Sequence, residues 1–234
     1  MATVVLLRHA RSTANQSGVL AGRTPGVGLD EQGVAQAEAL VGRLAAVPLA
    51  AVVSSPLQRC VDTINPLVVA RGLEPSLDDR LAEVDYGLWT SQPLRTLVKH
   101  PLWKVVQLHP SAAVFPEGEG LAEVQARAVA AIREWDAKVA AGHGADAVWL
   151  ACSHGDVIKA IIADALGLHL DSFQRIMIDP CSVSVVRYTE TRPFVWRTND
   201  NGGDLAGLAP QKKRRRRRSQ RPASDAAVGG SAGP

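Results

Sequence analysis

The sequence predicts an α/β fold, a three-layer α/β/α sandwich with a mostly parallel central sheet. Two observations carry this. Short apolar runs alternate along the chain with longer stretches of helical periodicity, the order expected of strands joined by crossover helices. The runs are also apolar throughout, as strands covered on both faces must be. A chain of 234 residues suits one such domain with an irregular tail, and an apolar fraction of 46% is ordinary for a real core.

The elements follow in order. Residues 3–7, Thr-Val-Val-Leu-Leu, read as a buried strand. Val34, Ala37, Leu40, Val41 and Leu44 recur at helical spacing over 30–46, with Asp30 placed to cap. Ala51-Val52-Val53 reads as a second strand. It breaks at Ser54-Ser55-Pro56, where a helix is expected to open with Pro56 in its first turn. Leu121, Val124, Ala128, Ile132, Trp135 and Val139 mark a long amphipathic helix over 121–140. Ala147 to Cys152 is a further strand, and Ser153-His154-Gly155-Asp156 leads from it into a helix closed by Gly167. Residues 182–188 and 194–198 read as a final strand pair. The stretch 88–120 is rich in Trp, Pro and His and weakly periodic, which suggests an insertion that covers a substrate site at the strand ends. The domain is thus expected over 1–200. Residues 201–234 turn basic and then rich in Ala, Gly and Ser, the composition of a disordered tail.

Charge is unevenly spread. The formal net charge is +3, yet Lys212, Lys213, Arg214 to Arg218 and Arg221 place eight cations in the tail against Asp225. Without them, 18 basic and 22 acidic residues remain, a formal charge near −4. A basic active site would therefore be a local feature. The tail lacks interleaved aromatics for base stacking, so weak polyanion binding is the most it implies. Cys60, Cys152 and Cys181 form neither a CxxC pair nor a metal-ligand spacing, which points to a reducing, cytoplasmic setting without a zinc site. No leader pattern and no apolar run of ~20 residues supports export or membrane insertion. Nothing in the sequence sets the oligomeric state.

Three predicted strand ends carry chemistry: Arg8-His9 after the first, Ser55 to Arg59 after the second, and Ser153-His154-Gly155 after a later one. In an open parallel sheet such ends share one rim, where ligands bind. Guanidinium forks match phosphate oxygens, helix N-termini add amide donors, and histidine can form covalent intermediates. A phosphoryl group is the natural guest. Cys181 and Arg187 also satisfy the Cys-x5-Arg pattern of cysteine phosphatases. That segment has no glycine and alternates like a strand, which would hold its ends about 20 Å apart, too far to share a phosphate.

Arg8-His9-Ala10 with Ser12 and Asn15, Ser55-Pro56-Leu57-x-Arg59 with Thr63, Glu83-x-x-x-Gly87-x-Trp89, and Ser153-His154-Gly155 together resemble the histidine phosphatase superfamily, in its phosphoglycerate-mutase-like branch, over about residues 3–198. The resemblance implies a phosphoglycerate-mutase-like fold and phosphomonoester hydrolysis without metal or cofactor, on a small phosphorylated metabolite. It implies His9 as nucleophile, Arg8, Arg59 and His154 as phosphoryl ligands, and Glu83 as proton donor, with Asp85 a nearby rival. Asn15, Gly22 and Arg23 are expected at the substrate. Glu83 is followed by Val84-Asp85-Tyr86-Gly87 in place of the mutases' Arg-His-Tyr-Gly, and Ala14 replaces a mutase Trp, which favours hydrolysis over mutase chemistry. Two alternatives stand beside it: a phosphoglycerate-type mutase, and a phosphate-binding or scaffold protein without turnover.

Overall fold

The computed structural model describes residues 1–203. The basic run of the tail lies outside them. The first strand, β1 (Thr3–Arg8), is buried throughout. A single-turn helix, α1 (Thr13–Ser17), and then α2 (Glu31–Arg43) follow, and Asp30 caps α2 by accepting from the Gly33 amide at 2.8 Å. Next come β2 (Leu49–Ser54), α3 (Gln58–Arg71) and the two-residue β3 (Ser76–Leu77). Two short helices, α4 (Leu94–Leu97) and α5 (Pro101–Leu108), lie in the segment expected to form an insertion. The long α6 (Leu121–His143), β4 (Val148–Ser153) and α7 (Gly155–Ala165) precede the antiparallel pair β5 (Val183–Arg187) and β6 (Phe194–Asp200).

The sheet runs β3-β2-β4-β1-β5-β6. β1 and β2 both pair with β4 in parallel, and β5 pairs antiparallel to β1. Successive strand residues divide between the two layers. Val4, Leu6, Trp149 and Ala151 pack with α6 and α7, whereas Val5, Leu7, Leu150 and Cys152 pack with α2 and α3. This two-sided burial is why those strands are apolar at every position. Cys181-to-Arg187 is mostly β5, an extended strand that cannot wrap an anion.

One expected boundary moves. The third helix opens at Gln58 with Leu57 as its cap residue, so Pro56 sits before the helix and not in its first turn. The reason is local: the Ser55 hydroxyl takes the Leu57 amide at 3.3 Å, and the Ser55 amide is bound by Cys152 O at 2.9 Å, which prolongs the turn. The segment 88–120 is more ordered than its weak periodicity suggests. Trp89 stacks on Trp103 with ring centroids 6.2 Å apart, and Trp89, Trp103 and Phe115 are buried. Backbone bonds from Leu20 to Gln92 O and from Leu94 to Gly18 O tie it to the loop after α1. Among the described residues, no helix is long and apolar enough to cross a membrane.

Candidate active site

β2, β4 and β1 are neighbours, and their C-terminal ends place Ser54, Ser153 and Arg8 side by side. The residues just beyond them meet in one buried cluster. Arg8 and His154 are fully buried; His9, Arg59 and Glu83 are at most 3% exposed. The rings of His9 and His154 lie 5.2 Å apart, within reach of one tetrahedral anion. Their sequence separation is bridged by the sheet register alone, since His9 N binds Ser153 O at 2.9 Å.

The hydrogen bonds assign both tautomers. His9 Nδ1 lies 2.7 Å from the Ala10 carbonyl, which can only accept, so the proton sits on Nδ1 and Nε2 keeps its lone pair. His154 Nδ1 accepts from Arg59 Nη2 at 3.1 Å, because a guanidinium only donates. Its Nε2 proton then goes to Ser55 Oγ at 2.8 Å. Burial, and then the charges of Arg59 and Arg8, hold His9 well below the usual imidazole range. Burial and Arg59 do the same for His154, with His9 and Arg8 adding to it. Both rings are therefore neutral at neutral pH.

Arg59 is positioned from several sides. Its Nη2 donates to Gly22 O at 2.8 Å, and the Thr63 hydroxyl, which bonds Arg59 O, receives the Ala10 amide at 2.8 Å. Arg59 Nη1 is buried and has no acceptor among the described residues. A buried donor in that state costs free energy that an oxyanion would recover. Arg8 Nη1 donates to Ile178 O at 2.7 Å.

Glu83 is reached from the loop between β3 and α4. Its Oε1 accepts the Val84 amide at 3.0 Å. Burial, and then the nearby charge of Asp156, raise its carboxyl to about 7, against the opposing pull of Arg59, the Val84 amide and Arg8. Asp85, the rival acid, is only partly buried and spends Oδ1 on the Gly87 amide at 3.0 Å.

The remaining expected residues divide. Gly22 enters the cluster through its carbonyl. Asn15 Oδ1 accepts the Ser12 amide and hydroxyl at 3.0 and 2.8 Å, so that oxygen closes a capping box on α1. Arg23 is held beside the loop that carries Glu83. Its Nε donates to Glu83 O at 2.9 Å and its Nη2 pairs with Glu119 at 2.9 Å.

Sequence reading missed Glu119, Arg127, Asp156 and Tyr86. Glu119 receives Arg127 Nε at 2.8 Å, Arg127 Nη2 at 3.0 Å and the Asp85 amide at 2.9 Å, and Arg127 also reaches Glu83 O at 3.2 Å. Nothing local marks these residues, because their partners are distant in sequence. Asp156 had a signal in its place beside His154-Gly155, but an acid in a first helical turn is also ordinary capping. Among the described residues, no group of three or more His, Cys, Asp or Glu is arranged to hold a metal ion.

Comparison with known proteins identifies the family and the fold. The family model described as histidine phosphatase superfamily (branch 1) matches residues 4–201. The chain is 30% identical over 202 residues to phosphoserine phosphatase 1 of Hydrogenobacter thermophilus, covering 85% of this chain and 92% of that protein. It is 28% identical to a probable phosphoglycerate mutase, GpmB, of Yersinia pestis, covering 89% and 95% respectively. Among solved structures, Bacillus stearothermophilus YhfR aligns with a TM-score of 0.77 at 24% identity, over 86% of this chain and 98% of that one. A mycobacterial glucosyl-3-phosphoglycerate phosphatase in complex with VO3 aligns at 0.75 and 24% identity, over 85% and 98%. At such identities the solved structures speak for the fold.

Proposed function

Because the chain belongs to branch 1 of the histidine phosphatase superfamily, we propose that it hydrolyses small phosphomonoesters through a phosphohistidine on His9. One observation carries the reading: a neutral imidazole with an open Nε2 shares a buried cluster with an arginine whose Nη1 lacks an acceptor.

In the first step Nε2 attacks phosphorus in line, the bond to the leaving oxygen breaks, and protonated Glu83 delivers its proton there. Arg8, Arg59 and His154 neutralise the equatorial oxygens. The dianion also raises the proton affinity of His154 and Glu83, which charges His154 beside the oxygens and keeps Glu83 protonated until charge develops on the leaving oxygen. In the second step Glu83, now a carboxylate, takes a proton from water. The water attacks phosphorus, the P–N bond breaks, and phosphate and neutral His9 are released. No step calls for a metal ion. Loop 15–23 and segment 88–120 border the leaving-group side, with Gly22 and Asn15 as contacts and the segment as cover. Arg23 instead orders the loop that carries the acid.

Likeness to a phosphoserine phosphatase makes phosphoserine the first substrate to try, and likeness to GpmB keeps 3-phosphoglycerate beside it. Wild-type protein should release inorganic phosphate and accumulate an acid-labile phosphoenzyme on rapid quench. His9→Ala should lose both. Isomerised phosphoglycerate without phosphate release would establish a mutase, and binding without turnover would establish a non-catalytic protein.

A further inference from the structure

We propose that Lys159 and Gln174 are positioning residues, members of a buried hydrogen-bond relay that sets the substrate cover and the loop of the acid in one register. The inference rests on the proposed roles of Glu83 and segment 88–120.

The relay starts on the loop that carries Glu83. Tyr86 donates its hydroxyl to Asp156 Oδ2 at 2.8 Å, in the first turn of α7. Lys159, one turn on, pairs with Asp156 Oδ1 at 3.3 Å and donates to Gln174 Oε1 at 3.0 Å. Gln174 belongs to a short 3-10 helix, Leu170–Arg175, and donates Nε2 to Val106 O of α5, in the cover, at 3.3 Å. The cover rests on the same 3-10 helix at a second point, where Asp171 Oδ1 accepts the Ser111 amide at 2.9 Å. Tyr86, Asp156, Lys159 and Val106 are all buried.

Each bond has one possible direction. An ammonium only donates and a backbone carbonyl only accepts, so Gln174 must turn Oε1 to Lys159 and Nε2 to Val106 O. Asp156, ion-paired with Lys159, accepts from both the ammonium and the phenol. An apolar set of the same volume is often as stable as a buried ion pair, or more so, and stability alone does not call for this chain. What an apolar set lacks is direction. Hydrogen bonds weaken steeply away from their preferred angle, so the relay fixes orientation as well as separation. It also refers both segments to α7, which begins directly after the phosphoryl ligand His154. Proton transfer needs the acid within hydrogen-bond reach of the leaving oxygen, an atom whose place the cover sets.

The test cuts the relay at either end, in Tyr86→Phe and in Gln174→Leu, and then at both. Amide exchange needs no activity: Gln174→Leu should speed exchange over 83–89, and Tyr86→Phe over 101–108, each about tenfold. In kcat/KM for phosphoserine each single variant should lose about tenfold and the double variant no more, because a chain already cut transmits nothing further. 4-Nitrophenyl phosphate, whose leaving group departs without a proton, should lose at most about twofold. Gln174→Glu keeps an acceptor for Lys159 and removes the donor to Val106 O; it should match Gln174→Leu, and replaces it if that variant does not fold. Exchange that changes only at the end that was cut, additive losses near a hundredfold, or equal losses on both substrates overturn the inference. Glu83→Gln should abolish the limb near pH 7 that the raised carboxyl gives phosphoserine turnover in wild type; an intact limb overturns the assignment of the acid instead. Should wild type turn over neither substrate, the proposed function fails and the exchange result still decides the relay.

Discussion

Glu119 offers the most quantitative test of how the acid's loop is held. Its carboxylate takes four donors: Arg23 Nη2, Arg127 Nε, Arg127 Nη2 and the Asp85 amide, at 2.8–3.0 Å. Both arginines also grip Glu83 O. Glu119→Gln keeps one acceptor oxygen and turns an NH2 group toward guanidinium donors. A broken, fully buried ion pair costs ~3–5 kcal/mol, whereas an exposed pair is worth ~0–1 kcal/mol. The Arg127 and Glu119 side chains are 17% and 22% exposed and Arg23 is 38% exposed, which places this site between the limits. The expected loss is about 2 kcal/mol, or a fall in Tm of roughly 4–8 °C for a chain of this size. Burial pushes the Glu119 carboxyl up, but the bonds from Arg127 and the Asp85 amide and the arginine charges outweigh it, and the folded carboxyl sits below its ordinary range. Its contribution is therefore fully present above the unfolded value of ~4.3 and is lost as pH falls through the lower folded value. The gap between variant and wild type should narrow below about pH 4. Urea unfolding across pH measures this, and steady-state kinetics complete it. Phosphoserine turnover should drop about tenfold at every pH without moving the limb near pH 7, because geometry changes and charge at Glu83 hardly does. A stability change under about 0.5 kcal/mol with unaltered turnover would refute the clamp.

Two further outcomes follow from single contacts. Gly87 has φ +49°, and a Cβ there would lie 2.0 Å from Pro116 O, so Gly87→Ala should cost about 3 kcal/mol in urea unfolding; a loss under about 0.5 kcal/mol would mean the two loops do not meet as described. Ser55→Ala leaves the buried Nε2 proton of His154 only the weak acceptor Cys60 Sγ at 3.4 Å, at a cost of ~1–3 kcal/mol, and should weaken vanadate binding and kcat/KM about tenfold; unchanged values would reverse the tautomer assigned to His154.

The division between sequence and tertiary structure is physical. Strands such as Val4 to Leu7 were legible because two-sided burial demands apolar residues at every position, and α6 because its apolar face repeats at helical spacing. The two histidines and two arginines were legible because each ends a strand, follows directly on one, or lies in the first turn of the helix after one. The order β2-β4-β1 then turns sequence distance into adjacency. What had no local signature was everything set by pairing across the fold. Arg23 is expected at the substrate, and its pairing with distant Glu119 could not be read from the chain. Glu83 is favoured by the resemblance with Asp85 as a rival, and only burial and the charge of Asp156, which lift Glu83 to about 7 while Asp85 caps a turn, separate the two physically. Residue types are written along the chain, but dielectric surroundings and neighbouring charges exist only once the chain has closed on itself, and those decide which carboxyl holds a proton.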